Sequence, residues 1–149
     1  MKVAADLVLR SPSTGDVAMI EVKNRRDLTS TLATMLRRNL LVHGEYRRVP
    51  YFVLLSQDSG YLWTPDEEPW IESPPSVTFP LHSVVAHYYP DFDPAIRLRE
   101  SELMLIIERW IDDLIHGDSP IVPDPDNAME RSGLLSALRE QSGSVEVLG

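Results

Sequence analysis

Apolar and polar residues alternate twice near the beginning of the chain, once over residues 3–10 and again over residues 16–23. A period of two residues is typical of a β-strand with one buried face. Between the two runs, residues 11–15 contain the proline and the glycine that favour a turn. The pattern therefore predicts an antiparallel β-hairpin.

Helical spacing of apolar residues follows the hairpin. Asp27 is expected to cap this helix and Gly44 to end it. Arg37 and Arg38 fall outside the apolar face, which we expect to pack against the sheet. That face consists of Leu28, Leu32, Met35, Leu36 and Leu40.

The rest of the chain alternates between apolar runs and proline-rich connections. Gly60 is assigned to a turn, and residues 64–80, which contain five prolines, are expected to form a loop. The apolar runs predict strands over 51–56 and 61–63, and helices over 81–89, about 95–116 and about 128–140. The longest helix has a predicted buried face of Leu103, Ile106, Ile107, Trp110, Ile111 and Leu114.

This order of elements predicts a mixed α/β (α+β) fold around a small sheet. The chain has 149 residues, of which 43% are hydrophobic and 25% charged, as expected for one globular domain. We place the domain at residues 1–117, with its motif-bearing core over 3–63 and a helical part over 80–117. Residues 118–149 are expected to be a proline-rich linker followed by a tail helix.

Several classes of site and location are excluded by the composition. The absence of cysteine rules out a disulfide framework, a thiolate nucleophile and a cysteine zinc site. The first six residues include charges where a signal peptide needs an apolar core, and the longest charge-free run, residues 73–90, contains four prolines. We therefore expect a cytoplasmic protein with no membrane partner.

The charge of the chain is unevenly distributed. The net charge is −9, but residues 21–48 hold seven basic and three acidic residues and carry +4, which leaves −13 for the remainder. Arg25, Arg26, Arg37 and Arg38 lie in this segment and are candidates for binding nucleic-acid phosphates. The alternative interpretation is that they form an ordinary solvated surface.

Three ionisable residues are predicted to meet on one face of the hairpin. If Pro12–Gly15 forms a four-residue loop, opposite residues have numbers that sum to 27, and Asp6 lies across from Glu21. Lys23 follows two residues later on the same face. Two neighbouring carboxylates repel unless a cation neutralises them, and Mg²⁺ prefers such oxygen ligands. The alternative is a surface salt bridge of small energetic value.

These residues resemble the motif of the PD-(D/E)XK nuclease superfamily, which has the restriction-endonuclease-like fold. The resemblance covers about residues 3–63 and rests on Asp6, the Glu21-Val22-Lys23 triplet, and the helix and strand that follow. It implies a central mixed sheet flanked by helices and metal-dependent cleavage of phosphodiester bonds. It also implies that Asp6, Glu21 and the Val22 carbonyl bind Mg²⁺ or Mn²⁺, and that Lys23 is the catalytic lysine.

Two features depart from the usual pattern of that superfamily. Ala5 stands where the motif has proline, and only five residues precede Asp6. We therefore expect the usual N-terminal helix to be absent, or to be replaced by a C-terminal helix or a partner subunit. Some superfamily members are also non-catalytic.

Three functional hypotheses follow from the sequence. The first is a metal-dependent endonuclease acting on DNA or RNA. The second is a non-catalytic homodimeric binding or scaffold protein on the same fold, and the third is a fragment of a longer nuclease. A homodimer is expected because Met104, Leu105 and Ile115 widen the apolar arc of the long helix. Part of the helix over 95–116, or the 118–149 tail, would lie at the dimer interface.

Overall fold

The computed structural model describes residues 7–11, 15–43, 49–65, 73–117, 123–140 and 144–147. These residues form six strands and five helices. In chain order the elements are β1 (Leu7–Ser11), β2 (Gly15–Val22), α1 (Ser30–His43), β3 (Tyr51–Leu55), β4 (Ser59–Trp63), β5 (Val77–Pro80), α2 (His82–Tyr88), α3 (Glu100–His116), α4 (Pro123–Arg131), α5 (Leu134–Glu140) and β6 (Ser144–Val147).

The strands form one mixed sheet in the order β5-β4-β3-β2-β1-β6. Neighbouring strands are antiparallel except for β2 and β3, which are parallel. Parallel strands cannot be joined by a tight turn, and α1 supplies the crossover between them. The predicted mixed α/β fold, with a central sheet flanked by helices, is confirmed at this level.

Alternation along the strands divides the apolar residues between two cores. One sheet face packs with α1, where Ala33 and Leu40 meet strand residues such as Met19 and Leu54. The other face packs with α2, α3, α4 and α5 around the fully buried Trp110. Both faces of the central strands are thus covered by helices.

None of the helices in the described part of the chain is long and apolar enough to cross a membrane.

The hairpin has the predicted register over residues 7–9 of β1 and 18–20 of β2. Leu7 pairs with Ile20, and Leu9 pairs with Ala18, so the numbers of opposite residues sum to 27. An irregularity after Leu9 shifts the pairing by one, and Ser11 then faces Gly15. A β-bulge therefore lies between the turn and the residues that have the predicted register. The expected four-residue loop over Pro12–Gly15 is wrong, because Gly15 pairs with Ser11.

The first helix differs from its prediction in both its start and its buried face. It begins at Ser30 because the Leu32 amide donates to the Thr29 hydroxyl, 3.2 Å away; the expected cap at Asp27 is wrong. Arg37 was expected outside the apolar face but is only 5% exposed, whereas Met35, expected inside it, is 52% exposed. The buried stripe is therefore rotated relative to the leucine pattern.

The longest helix has the predicted buried face but a later start. The six predicted face residues of α3 are all buried. The helix begins at Glu100 rather than at about 95, because Asp93 accepts a hydrogen bond from the Ala95 amide and forms a local turn instead. Glu102 then accepts a hydrogen bond from the Arg99 amide at the helix start.

One strand was missed within the predicted loop over 64–80. Residues Val77–Pro80 form β5, which lies at one edge of the sheet. An edge strand tolerates proline because one side of its backbone has no ladder partner. Gly60, assigned to a turn, lies within β4 opposite Phe79. Its missing side chain makes room for the Phe79 ring.

The described part of residues 118–149 belongs to the same domain, in contrast to the expected linker and tail. Two helices, broken at Gly133 with its positive φ of 87°, replace the single predicted helix. The Trp110 indole donates to Asp126 over 2.8 Å, and the Tyr51 hydroxyl donates to the Ser132 carbonyl. β6 then pairs with β1 and extends the sheet.

We predict that Gly60→Ala destabilises the protein by about 1–3 kcal/mol, because the added methyl group would overlap the buried Phe79 ring. Urea unfolding measures this loss. The double variant Gly60→Ala/Phe79→Leu should lose less than the sum of the two single changes. Strict additivity would show that the Phe79 ring is not what restricts this position.

Candidate functional site

The candidate site lies where the parallel strands β2 and β3 end. Glu21 and Val22 pair with Leu54 and Leu55 in the parallel ladder. Hydrogen bonding continues one residue beyond β2, since the Lys23 amide donates to the Leu55 carbonyl over 2.9 Å. The backbone of the Glu21-Val22-Lys23 triplet is therefore fixed by its neighbour throughout.

Glu21 and Lys23 are brought together as the alternation predicts. The Lys23 ammonium nitrogen lies 3.2 Å from a Glu21 carboxylate oxygen. The Glu21 side chain is only 3% exposed, whereas that of Lys23 is 36% exposed. The carboxylate is thus buried, whereas the side chain that carries the ammonium group is partly exposed. The solvated salt bridge that the sequence left open does not describe this arrangement.

Asp6, the third predicted member of the site, lies outside the described residues. The neighbouring pairs Leu7–Ile20 and Val8–Met19 have the register from which the position opposite Glu21 was predicted. The structure thus describes Glu21 and Lys23 of the expected triad, together with the backbone of Val22.

Oxygen donors at this end of β2 suit a hard divalent cation. Glu21 offers carboxylate oxygens, and the adjacent Val22 offers a backbone carbonyl; both are ligand types of Mg²⁺ and Mn²⁺. Within the described ranges, no group of three or more His, Cys, Asp or Glu side chains could hold a metal ion. Glu21 and Val22 thus offer ligands of the right type for such an ion. In the predicted site the remaining side-chain ligand is Asp6.

Next to the site, Asn24 and Gln57 form a buried amide pair, and this pairing was not predicted from the sequence. Asn24 and Gln57 are 0% and 3% exposed. The Asn24 amide group donates to the Gln57 side-chain oxygen over 3.2 Å, and the Gln57 backbone amide donates back to Asn24 over 3.1 Å. Gln57 follows the end of β3, where the sequence allows either a turn residue or one that points toward the site; its pairing with Asn24, 33 positions away, leaves no local signal.

Two of the four predicted phosphate-binding arginines are exposed but engaged by carboxylates. Arg25 makes two hydrogen bonds to Asp27, of 3.2 and 3.0 Å. Arg26 makes a similar pair to Asp58, of 3.0 and 3.2 Å. A phosphate would have to compete with these bidentate partners.

The other two arginines have different surroundings on α1. The Arg37 guanidinium lies over the rings of Phe52 and Trp63, 5.8 and 5.1 Å from their centroids, and its burial lowers its pKa. Arg37 therefore contributes to the core beneath α1 rather than to its outer surface. Arg38 is exposed and lines a groove of about 320 Å³. The groove's other lining residues are Ser30, Thr31, Thr34, Met35 and Pro74.

The apolar arc of α3 is mostly used by the domain itself. Met104 and Ile115 are partly buried and pack against the core, whereas Leu105 is 66% exposed. One exposed leucine is common on a monomeric surface. The homodimer stays a prediction from the sequence.

Comparisons with known proteins leave the function to be argued from the site's own geometry. No protein-family model matches the chain, and no curated protein or solved structure is significantly similar to it. The resemblance to the PD-(D/E)XK superfamily accordingly stays a prediction based on residues 3–63.

The Arg25–Asp27 pair can be tested through the Asp27 carboxyl group. Hydrogen bonding by Arg25 is the main cause that holds the pKa of Asp27 below its usual value. We predict that Arg25→Ala raises the Asp27 pKa towards that value, as measured by carboxyl NMR titration. Because the folded-state pKa is depressed, the stabilisation is present above the unfolded-state pKa and is lost as pH falls through the folded-state pKa.

Arg26→Ala is the matched control, since Arg26 binds Asp58 instead. It should leave the Asp27 titration nearly unchanged. An Asp27 pKa that does not respond to Arg25→Ala would show that the pair does not form in solution and that Arg25 is free to bind other anions.

Proposed function

We propose that this protein is a metal-dependent nuclease-like enzyme that hydrolyses nucleic-acid phosphodiester bonds. The observation that carries the proposal is the enclosure of the Glu21 carboxylate, 3% exposed, beside the Lys23 ammonium group at 3.2 Å. This acid and this lysine are the two members of the predicted triad that the structure describes.

The energetic cost of this enclosure supports a functional role. Removing a carboxylate from water costs several kcal/mol, and burying an ion pair is weak evidence of a gain in stability. Charged side chains are almost never fully buried unless they are paired or bind a metal. A glutamate kept only for a surface salt bridge would gain nothing from being buried. Burial of Glu21 is therefore better explained by chemistry than by stability.

The order of elements supports the same proposal. The antiparallel pair β1–β2, the helix α1 and the parallel strand β3 follow the succession on which the superfamily resemblance rests. In this succession the Glu21-Val22-Lys23 triplet ends the central strand β2. Residues from both neighbours of β2 can reach this end of the sheet.

Each residue of the site has a separate role in the proposed reaction. Glu21, the Val22 carbonyl and Asp6 would hold Mg²⁺ or Mn²⁺. When bound, such an ion polarises a phosphoryl oxygen and lowers the pKa of a bound water. Lys23, fixed by its ion pair with Glu21, places a positive charge where negative charge develops on the phosphate. Its partial exposure gives a substrate access to the ammonium group.

A cleavage assay with Lys23→Arg tests this proposal. The substitution keeps the positive charge but replaces a compact ammonium with a planar guanidinium. We predict that the wild-type protein cleaves DNA or RNA in the presence of Mg²⁺ or Mn²⁺, and that Lys23→Arg loses at least about 100-fold in rate.

The chain offers a matched control, because Lys2 is its only other lysine. Lys2→Arg should retain the wild-type rate. If Lys23→Arg cleaves at the wild-type rate, Lys23 has no catalytic role and serves only as the ion-pair partner of Glu21. If the wild type cleaves no single- or double-stranded DNA or RNA with either ion, the non-catalytic alternative becomes the better account.

A further inference from the structure

The connection between α2 and α3 is held by the buried amide pair beside the candidate site. The Gln57 side-chain amide donates to the Ile96 carbonyl over 2.8 Å. The oxygen of the same side chain accepts a hydrogen bond from the Leu98 amide, also 2.8 Å long. Asn24 completes the contact by donating to the Leu98 carbonyl. Both neighbours of Arg97 in the chain are therefore fixed.

These hydrogen bonds hold the segment that contains Arg97 close to the end of β2. Asn24 directly follows Lys23, and Gln57 lies two residues beyond β3. The Asn24 backbone amide also donates to a Glu100 carboxylate oxygen over 3.4 Å, at the start of α3. The short segment that contains Arg97 is thus tied to the strand end that carries Lys23.

Arg97 itself points outward from this attachment. Leu98 is 2% exposed and anchors the segment in the core, whereas Arg97 is exposed. Among the described residues Arg97 has no salt-bridge partner, unlike Arg25 and Arg26.

We propose that Arg97 contacts a phosphate of a bound nucleic acid and that Asn24 and Gln57 position it. A guanidinium without a carboxylate partner can bind phosphate oxygens without first giving up an ion pair. The buried amides reduce the backbone freedom that binding would otherwise have to remove. The identity of the ligand rests on the proposed function, but the contact itself requires neither metal nor turnover.

Binding is measured by fluorescence anisotropy with labelled single-stranded and duplex DNA and RNA, in EDTA and at low salt. EDTA separates binding from cleavage. We predict that Arg97→Ala weakens binding at least about tenfold, in line with the loss of a charge-assisted hydrogen bond. The dependence of log affinity on log salt should also become shallower, by about one unit.

Arg131→Ala is the matched control, because it removes the same charge from another exposed arginine. Arg131 ends α4 next to Ser132, whose carbonyl accepts from Tyr51 at the opposite end of β3. This variant should bind nearly as tightly as wild type. Equal weakening by both variants would show that only net charge matters and would overturn the assignment of Arg97.

Gln57→Ala separates positioning from charge, since it leaves every charge in place. We predict that it weakens binding when Arg97 is present and has little further effect in the Arg97→Ala background. A full additional loss in that background would contradict a positioning role. The Arg97→Ala result stands on its own if Gln57→Ala fails to fold, because Arg97 is exposed.

The outcomes for binding and for cleavage can be distinguished. If wild type binds DNA or RNA and Arg97→Ala binds equally well, the inference fails while the nuclease proposal is untouched. If binding depends on Arg97 but Mg²⁺ or Mn²⁺ produces no cleavage, the inference holds and the proposed reaction fails. If wild type binds neither DNA nor RNA, single-stranded or duplex, at low salt, the inference is overturned.

Discussion

Parallel pairing of β2 and β3 is the constraint on which the rest of the structure depends. It requires α1 as a crossover, and it brings the carboxyl ends of both strands to the same end of the sheet. Glu21 and Lys23 reach this end from β2, and Gln57 reaches it from β3. An antiparallel pair would have placed these residues at opposite ends of the sheet.

The site combines groups whose burial is costly with neighbours that reduce that cost. The Glu21 carboxylate has the Lys23 ammonium beside it, and the amides of Asn24 and Gln57 bind each other and the backbone before α3. Satisfied polar groups of this kind rigidify their surroundings, whereas half-satisfied ones destabilise them. The last residues of β2 are therefore held from the side of β3 and from the segment that leads into α3. Such rigidity is what the proposed site requires, because its side chains must be held in place before a ligand binds.

The sequence predicted the parts of the fold that depend on local periodicity. Alternation located the first hairpin and its inner register, and the 3.6-residue period identified the buried face of α3. Local patterns could not reveal contacts between distant segments. Arg37 is buried because the rings of Phe52 and Trp63 lie beneath it, and β6 exists because β1 offers an edge for it. The Asn24–Gln57 pair joins residues 33 positions apart, so it too was invisible in the pattern.

The central claim is that the buried Glu21 carboxylate binds a divalent ion. Isothermal titration calorimetry with Mn²⁺ tests this claim without any assumption about the substrate. Wild type and Glu21→Gln are compared, because glutamine keeps the shape of the side chain and removes its charge. The account predicts saturable binding of one ion per chain to wild type and at least a tenfold weaker affinity for the variant, as expected when a charged ligand is lost. Equal binding by the two proteins, or the absence of binding to wild type, would contradict it.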